Sequence, residues 1–428
     1  MTLKNKKLWL GILYTVAILF VYRLGYFIQL PFIRYANVQA VYDSGQSMFG
    51  FLDIFSGGAL SNFSIVALGV SPYITASIVV QLLQMDIIPV LKEWGEEGET
   101  GKQKLNALTR YLSIGLAFIQ ALTIVIGVTV SYNGLFFGVG TPSGAMTYIY
   151  LAIVMTAGTG FVLWIADRIT KNGVGNGTSL MIVVGIIASY PDMINDLMQT
   201  YILDDAQGTK GIFIFIGVLL LMIAIILGVV FMEAAQRKIP IQYSNRPSSA
   251  ALSGKNDSNV PIKLNTASVI PVIFASTLMS LPTTIANFLN EGTAKNVINA
   301  IFNTTEPIGF VVYIILIVVF TFFYSFLQMS PDKMADNLQK QNAYVPGVRP
   351  GDDTAAYFSR VLFKINVVGA IYLCVLAALP IIMTWIFALP ASVQVGGTGL
   401  IIVVGVAVET AKQIKTSTQD KKLRGFMD

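Results

Sequence analysis

The side chains that most often perform chemistry are scarce in this sequence. Its 428 residues include no His and a single Cys, Cys374. Metal clusters, disulfide frameworks and His-based catalysis are therefore nearly excluded, whereas catalysis by carboxylates alone stays open. No Gly-rich phosphate loop ending in Lys-Ser or Lys-Thr is present, so energy for any transport would have to come from outside the chain. We expect no cofactor and no metal.

Charged residues are also missing from the centres of the long apolar segments. Only 12% of the residues are charged and 54% are hydrophobic, whereas an ordinary soluble domain carries about 25% charged residues. Arg23, near the outer end of the first apolar segment, is the exception. Ion-coupled carriers usually keep an acid or a His inside the membrane, but a conduit closed by an apolar constriction needs neither. The missing charge favours a channel-like passage.

The apolar segments predict ten spanning helices, because each crosses or nearly crosses about 30 Å of hydrocarbon. They run roughly over residues 8–30, 71–88, 105–130, 147–166, 179–190, 212–231, 267–286, 308–329, 361–387 and 395–408. The first is longer than the apolar core of a secretory signal, so we interpret it as a permanent span. The predicted fold class is an all-α polytopic membrane protein.

Basic residues are segregated by this ten-span assignment. All but four of the 28 Lys and Arg residues fall on the side that holds both termini, the exceptions being Arg23, Arg34, Lys210 and Lys295. Because cytoplasmic segments carry an excess of Lys and Arg, both termini are predicted to be cytoplasmic.

Two of the predicted cytoplasmic loops are long, at residues 233–265 and 330–360. In the second, a helical stretch precedes residues 344–351, where two Pro and two Gly are typical of a rigid turn. This turn would project Arg349 from the surface and suits docking of a large cytosolic partner. The first loop is polar and basic, and it is either a solvated connector or part of such a surface.

Irregular backbone interrupts the apolar pattern at several places. Residues 51–64 are apolar, too short to span and broken by Gly57-Gly58. Broken backbone at membrane depth is tolerated only where it is buried in protein or lines a cavity. We therefore interpret this segment as a re-entrant half-helix, with an interfacial loop on the outer face as the alternative.

Four spans carry similar breaks. Pro72 opens the second span, Gly175-Asn176-Gly177 opens the fifth, Pro271 interrupts the seventh, and Gly396-Gly397-Thr398-Gly399 begins the tenth. These breaks recur five spans apart, which hints at an N-terminal half over residues 1–200 and a C-terminal half over 201–428. Such paired halves are common in transport proteins.

The breaks and the second long loop carry a resemblance to a known family. The matching segments are residues 55–60, 67–78, 175–177, 269–276, 335–338, 346–351 and 396–398. In their order and together they resemble the SecY family, the channel subunits of the bacterial Sec protein translocase. The resemblance implies ten helices around a central pore in the bacterial cytoplasmic membrane. Unfolded secretory polypeptides would cross through this pore, and membrane-protein helices would leave it sideways into lipid.

The resemblance also implies roles for individual residues. A plug over residues 51–64 would seal the resting channel from outside. The residues at its centre would be Phe55, Ser56, Gly57, Gly58, Ala59 and Leu60. An aliphatic pore ring would comprise Val70, Ile74, Thr178, Ile182, Ile273 and Ile402. The family usually has a larger aliphatic residue where this chain has Thr178.

Two further sets of residues and several partners follow from the same resemblance. Gln81, Gln120 and Thr277 match polar positions of a lateral gate, where a polar contact between helices would contribute roughly 0.6–2 kcal/mol. Arg237, Lys238 and Arg349 would dock the SecA motor or the ribosome. The implied partners are SecE and SecG, SecA, the ribosome, signal sequences, nascent polypeptides and membrane lipid.

Two other classes of protein were weighed against a passive pore. A secondary transporter for a small solute would need a polar site at the midplane, and the sequence supplies little beyond Thr and Gln. An intramembrane enzyme would need paired acids, or a nucleophile and a base, at membrane depth. The sequence contains no such constellation, so we do not expect an enzyme.

Overall fold

The computed structural model describes residues 3–32, 53, 56–84, 87–131, 145–203, 208–243, 258–287, 292–387, 389 and 391–424. The helices are α1 (Leu3–Gly25), α2 (Ser71–Gln84), α3 (Pro89–Glu96), α4 (Glu99–Ser131), α5 (Ala145–Asn172), α6 (Gly177–Met198), α7 (Gly208–Ala234), α8 (Ile270–Asn287), α9 (Thr293–Phe302), α10 (Pro307–Gln328), α11 (Pro331–Lys340), α12 (Asp352–Phe387) and α13 (Ala391–Arg424). The strands are β1 (Gln236–Tyr243), β2 (Ser258–Lys263) and β3 (Ala343–Tyr344), and a π-helix (Gln199–Leu203) follows α6.

Each predicted span corresponds to one helix, namely α1, α2, α4 to α8, α10, α12 and α13. Eight of the described helices are long and apolar enough to cross a bilayer alone, and the bent pair α2 and α3 can form a ninth span. The tenth helix, α8, contains a shorter apolar stretch, Ile270–Thr283. The chain is therefore a multi-pass helical membrane protein, as predicted.

Several helices are longer than the apolar segments that predicted them. Helix α12 begins at Asp352 and α13 continues to Arg424, although the apolar pattern covers only 361–387 and 395–408. The added turns are polar, and polar residues form helix as readily as apolar ones once they leave the hydrocarbon. Hydropathy marks the part of a helix within lipid, and not its ends.

Two of the predicted breaks do not interrupt or begin their helices in the way that we expected. Helix α8 begins at Ile270, so Pro271 occupies its first turn, where proline is well tolerated, and its internal proline is Pro282. The glycine run 396–399 lies inside α13. A Cβ on Gly399 would come within 2.7 Å of the Ile186 side chain in α6. The glycines thus allow close helix packing.

The helices pack as two neighbouring groups. In one, α4 contacts α2 and α5, and α5 contacts α6. In the other, α10 contacts α8 and α12, and α13 contacts α7 and α12. Contacts of α13 with α6 and of α2 with α8 join the groups. The largest buried apolar cluster draws side chains from both groups, so the core of the molecule lies where they meet.

The described parts of the two long loops form a single small unit that the sequence analysis missed. A sheet of order β2-β1-β3 joins them, with β1 antiparallel to both neighbours. Along β1, Ile239 and Ile241 are buried between exposed residues, the alternation of a strand with one covered face. They pack with Leu338, Val345 and Phe358 in a separate apolar cluster. The alternation in Lys238-Ile239-Pro240-Ile241-Gln242 was the signal for this strand.

Candidate functional site

Five aliphatic residues from distant parts of the chain belong to one buried apolar cluster. Val70 lies directly before α2, and the other four lie in α2, α6, α8 and α13: Ile74, Ile182, Ile273 and Ile402. Their side chains are between 0 and 7% exposed. A constriction lined by such side chains excludes water and ions because wetting it is unfavourable.

Thr178, the sixth residue assigned to the pore ring, has a different environment. It lies in the first turn of α6, half-buried, and its hydroxyl donates a hydrogen bond to Asn176 Oδ1 at 2.7 Å. The same oxygen accepts from the Thr178 backbone N–H at 3.1 Å. Asn176 thereby caps the helix, and the Thr178 hydroxyl takes part in that cap.

Asp53, which is half-buried, organises the described part of the re-entrant segment. Asp53 Oδ1 accepts from the backbone N–H groups of Leu60 at 3.1 Å and Ser61 at 2.9 Å, and its Oδ2 accepts from the Ser61 hydroxyl at 2.5 Å. The Ser56 hydroxyl donates to the Asp53 carbonyl at 2.8 Å. Short polar side chains stabilise turns in this way, so this part of the segment is an internally bonded unit.

The glycine pair decides the shape of this unit. Gly57 and Gly58 have φ of +69° and +80°, a region that glycine adopts without strain. The chain continues to Phe63 as tight turns. Among the residues assigned to the plug, Ser56, Gly57, Ala59 and Leu60 are buried and Gly58 is half-buried. Phe55 lies outside the described residues.

The plug segment is attached to the exit of α1. Leu30 donates its N–H to the Phe63 carbonyl at 2.9 Å, and Ile65 donates to the Ile28 carbonyl at 2.9 Å. Arg23 Nη1 donates to the Gly57 carbonyl at 2.7 Å. On its inner side, Ala59 belongs to the same apolar cluster as the five aliphatic residues. The segment therefore lies between α1 and the proposed constriction.

An apolar cavity of about 210 Å³ opens beside the plug. It is lined by residues of α2, α4 and α8 together with the plug residue Leu60, among them Thr75, Gln120, Leu281 and Ile285. Gln81, Gln120 and Thr277, the residues assigned to the lateral gate, lie on these same three helices. A cavity with this lining suits an apolar chain segment.

Two of the three polar residues assigned to the gate bond within their own helices. The Gln81 amide donates to Ser77 Oγ at 3.0 Å, and the Thr277 hydroxyl donates to the Ile273 carbonyl at 2.7 Å. This differs from the contact between helices that we expected, because a side chain on a helix can reach a polar group one turn earlier. Among the described residues, the buried Gln81 Oε1 accepts no hydrogen bond.

A buried carboxylate joins three helices near the predicted cytoplasmic face. Glu233, at the end of α7, is 1% exposed and accepts from the Ser268 hydroxyl at 3.0 Å. Lys412 of α13 pairs with Glu233 Oε2 at 3.8 Å and also donates to the Glu233 carbonyl. Ser268 lies just before α8, and its carbonyl accepts from Asn265 at 3.0 Å. This network, which the sequence analysis missed, fixes the entry of α8.

The residues assigned to docking lie on the small sheet unit and are exposed. Arg237 and Lys238 belong to β1. Arg349 lies in the turn after β3, where Gly347 and Gly351 have φ of +83° and +100°. The Thr354 hydroxyl donates to the Arg349 carbonyl at 2.7 Å, so the backbone that presents this cation is held.

Comparison with known proteins gives this geometry a context. A sequence model described as SecY matches residues 64–411. The protein translocase subunit SecY of Bacillus licheniformis is 44% identical over 418 residues, which cover 97% of this chain and 96% of the relative. The subunit of the same name from Bacillus subtilis is 43% identical over 417 residues, with the same coverage of both chains.

Solved structures share the fold. One described as "The structure of a protein conducting channel" superposes with a TM-score of 0.66 at 18% identity, covering 95% of this chain and 92% of that chain. One described as "Sec61 in the Canine ribosome-channel complex from the endoplasmic reticulum" has a TM-score of 0.64 at 18% identity and the same coverage. With the family matched over most of the chain and relatives above 40% identity along nearly their whole length, this chain belongs to the SecY family.

Proposed function

We propose that this chain is the protein-conducting subunit of a translocase in the bacterial cytoplasmic membrane. It passes unfolded secretory polypeptides across the membrane and releases hydrophobic helices sideways into lipid. The observation that carries the proposal is the burial of the plug residue Ala59 in the apolar cluster that also holds Ile273 and Ile402. The curated relatives named protein translocase subunit SecY support it.

In the closed state, the aliphatic residues form a ring and the plug covers it. Val70, Ile74, Ile182, Ile273 and Ile402 supply the apolar seal, and Thr178 borders it from the first turn of α6. Opening separates these side chains so that an extended polypeptide can pass. The chain makes and breaks no covalent bond in this process. A partner shifts the closed–open equilibrium by binding one state more tightly than the other.

The cavity beside the plug receives the signal sequence. Its lining from α2, α4 and α8 is apolar apart from a few hydroxyls and Gln120, and burying apolar surface contributes about 25 cal/mol per Å². An incoming apolar helix would replace the contact of α2 with α8 and open the lateral gate to lipid. Gln81, Gln120 and Thr277 lie on the helices that separate.

Partners supply the energy and complete the assembly. SecA or a translating ribosome docks on the small sheet unit through Arg237, Lys238 and Arg349, and SecE and SecG associate within the membrane. One solved relative of the same fold is described in a ribosome-channel complex, which supports a ribosomal partner. The excess of Lys and Arg on one side supports cytoplasmic termini.

Reconstitution tests the function directly. Liposomes carrying the full chain with SecE- and SecG-type subunits should protect a secretory precursor from added protease, and only when SecA and ATP are present. Uptake of a small solute without any protected precursor would instead identify a secondary transporter. Turnover of a small substrate without transport would indicate an intramembrane enzyme.

Two leucines of α8 test the signal-binding cavity. Leu281 lines the cavity, whereas Leu278, one turn earlier, does not line it and is 39% exposed. Leu281→Gln should reduce photo-crosslinking of a signal peptide to the chain several-fold, because a polar amide would replace apolar lining. Leu278→Gln serves as the control and should leave crosslinking unchanged. Equal losses in both variants would contradict this assignment.

A further inference from the structure

The plug carries a contact with α1 that the proposed function does not use. Arg23 Nη1 donates a hydrogen bond to the Gly57 carbonyl at 2.7 Å, and the Arg23 guanidinium lies over the Tyr26 ring, 4.1 Å from its centroid. Hydrogen bonds from an ionised donor are roughly twice as strong as those between neutral groups.

On its other side, the same glycine meets the backbone of α6. A Cβ on Gly57 would lie 2.9 Å from Gly185 Cα and 3.0 Å from Arg23 Nη1. Gly185 follows the proposed ring residue Ile182 by three positions in α6. Gly57 therefore fits between a cation on α1 and a helix of the proposed ring, with no room for a side chain.

The turn in the plug is held together by its own hydrogen bonds, so its contacts with other elements determine where it lies. Asp53 binds the N–H groups of Leu60 and Ser61, so this turn can move without losing its own hydrogen bonds. The position of the turn then depends on the bonds that it makes with its surroundings. The contact with Arg23 is one of these, and it engages a backbone carbonyl rather than a plug side chain.

We propose that Arg23 is the positioning residue that latches the plug in the closed channel. The hydrogen bond from its guanidinium to the Gly57 carbonyl breaks when the plug moves aside. This inference rests on the proposed function, because it requires that the plug seal the resting channel. Loss of one charge-assisted hydrogen bond should raise the population of the unsealed state by about tenfold or more.

Ion leak through the resting channel measures that population. Chloride release from liposomes that hold the full chain with SecE- and SecG-type subunits, without SecA, should rise about tenfold in Arg23→Met. Arg23→Lys keeps a charged donor and should leak less than Arg23→Met. Arg168→Met is the matched control, since Arg168 also lies over an aromatic ring, Trp164, at 5.4 Å. That control should leak like the unmodified channel.

A deletion of residues 56–61 separates the latch from a general structural role. In the deleted channel, which already leaks, Arg23→Met should add no further leak. Additional leak there would overturn the latch, because Arg23 would then act on the helices and not on the plug. Unchanged leak of Arg23→Met in the intact chain, beside a leaking deletion, would overturn the latch and leave the proposed function standing. A deletion that does not leak would overturn the sealing role of the plug and the latch with it.

Two adjacent glycines test the seat of the plug from the other side. Gly57 and Gly58 share a positive φ, so alanine strains the backbone at both positions. A Cβ on Gly58 would approach only the Tyr26 ring, at an ordinary 3.5 Å. Gly57→Ala should therefore leak several-fold more than Gly58→Ala, with thermal unfolding verifying that both variants fold. Equal leak would contradict the seating of Gly57 between Arg23 and α6.

Discussion

Single residues decide whether the proposed constriction seals, and neighbouring positions on one helix can be compared directly. Ile401 and Ile402 of α13 are both 0% exposed and both belong to the large apolar cluster. Only Ile402 is assigned to the ring. The two positions therefore separate the effect of burying a polar group from the effect of wetting the pore.

Ile402→Asn should increase ion leak and admit precursors with weaker signal sequences, because an amide in the ring attracts water. Ile401→Asn should lower the thermal stability of the chain, since a buried amide without partners costs about 1–3 kcal/mol, but it should leave the leak unchanged. Chloride release and precursor protection in liposomes measure both. Leak in Ile401→Asn and none in Ile402→Asn would remove Ile402 from the ring.

The residues that the sequence analysis missed are polar ones inside the apolar body. Asp53 bonds to Ser56 and Ser61, and this spacing of Asp and Ser is typical of side chains that stabilise turns. Arg23 was recognised as a charged residue within a span, but its partner is a backbone carbonyl. Any of the chain's carbonyls could have accepted that bond, so a sequence pattern could not identify Gly57.

At the scale of elements, the junction of α7, α8 and α13 depends on one buried carboxylate. Glu233 is 1% exposed, and its cation partner Lys412 is about one-third exposed. Removing the Lys412 cation would leave the Glu233 carboxylate buried with hydroxyl and amide partners only. This lowers the free energy of unfolding more than replacing both members of the pair does.

Lys412→Met should therefore lower the free energy of unfolding of the detergent-solubilised chain by about 1–3 kcal/mol. The double variant Glu233→Gln with Lys412→Met should recover part of that loss, since no buried charge then lacks its cation. Lys415→Met, at an exposed position of the same helix, is the control and should match the unmodified chain. A double variant less stable than Lys412→Met would argue against a net contribution from the pair. Tryptophan fluorescence during heating reports each transition.

The small sheet unit is the second element with a role of its own. Two loops that are far apart along the chain combine through β1 and β3, where Gln242 lies opposite Tyr344, and they share an apolar cluster with α12. The first loop was left open between a connector and a docking surface. Its pairing with β3 favours the second interpretation, because β1 and the segment that leads to Arg349 share one sheet and one apolar cluster.

Arg349→Glu should weaken SecA binding and precursor translocation at least tenfold while leaving membrane insertion of the chain intact. Charge reversal replaces the cation that the turn presents with a carboxylate. An acidic surface of SecA that the cation attracts would be repelled by that carboxylate. Lys340→Glu makes the same change at the exposed end of α11 and should have a smaller effect. If both variants weaken SecA binding equally, overall charge and not the Arg349 turn governs docking. Co-sedimentation of SecA with the liposomes measures binding.

For the whole molecule, the distribution of basic residues predicts the orientation in the membrane. All but four of the 28 Lys and Arg residues lie on the side of the termini under the ten-span assignment, and a described helix lies at each of the ten predicted spans. The division into halves at residue 200 stays a prediction. It falls within the π-helix Gln199–Leu203.

A fluorescent protein fused after Asp428 should fluoresce in intact cells, and alkaline phosphatase fused at the same point should be inactive. Both results follow from a cytoplasmic C-terminus, because the first reporter matures in the cytoplasm and the second needs an oxidising compartment. An active phosphatase would place the C-terminus outside and overturn the orientation. A phosphatase inserted in the predicted outer loop at residues 132–144, as a positive control, should be active.

The sequence by itself determined the ten apolar segments, their predicted orientation and two of the irregular stretches, at Gly57-Gly58 and at Gly175-Asn176. The breaks that it predicted at Pro271 and at residues 396–399 lie within helices. These properties are local, since hydropathy, charge and the need to satisfy backbone groups act on each segment separately. Only the tertiary structure decided which side chains meet. It brought Val70 and Ile402 into one cluster, joined two loops in a sheet and placed Gly57 between Arg23 and Gly185. Such contacts depend on close packing of segments far apart in the chain, and no local pattern encodes them.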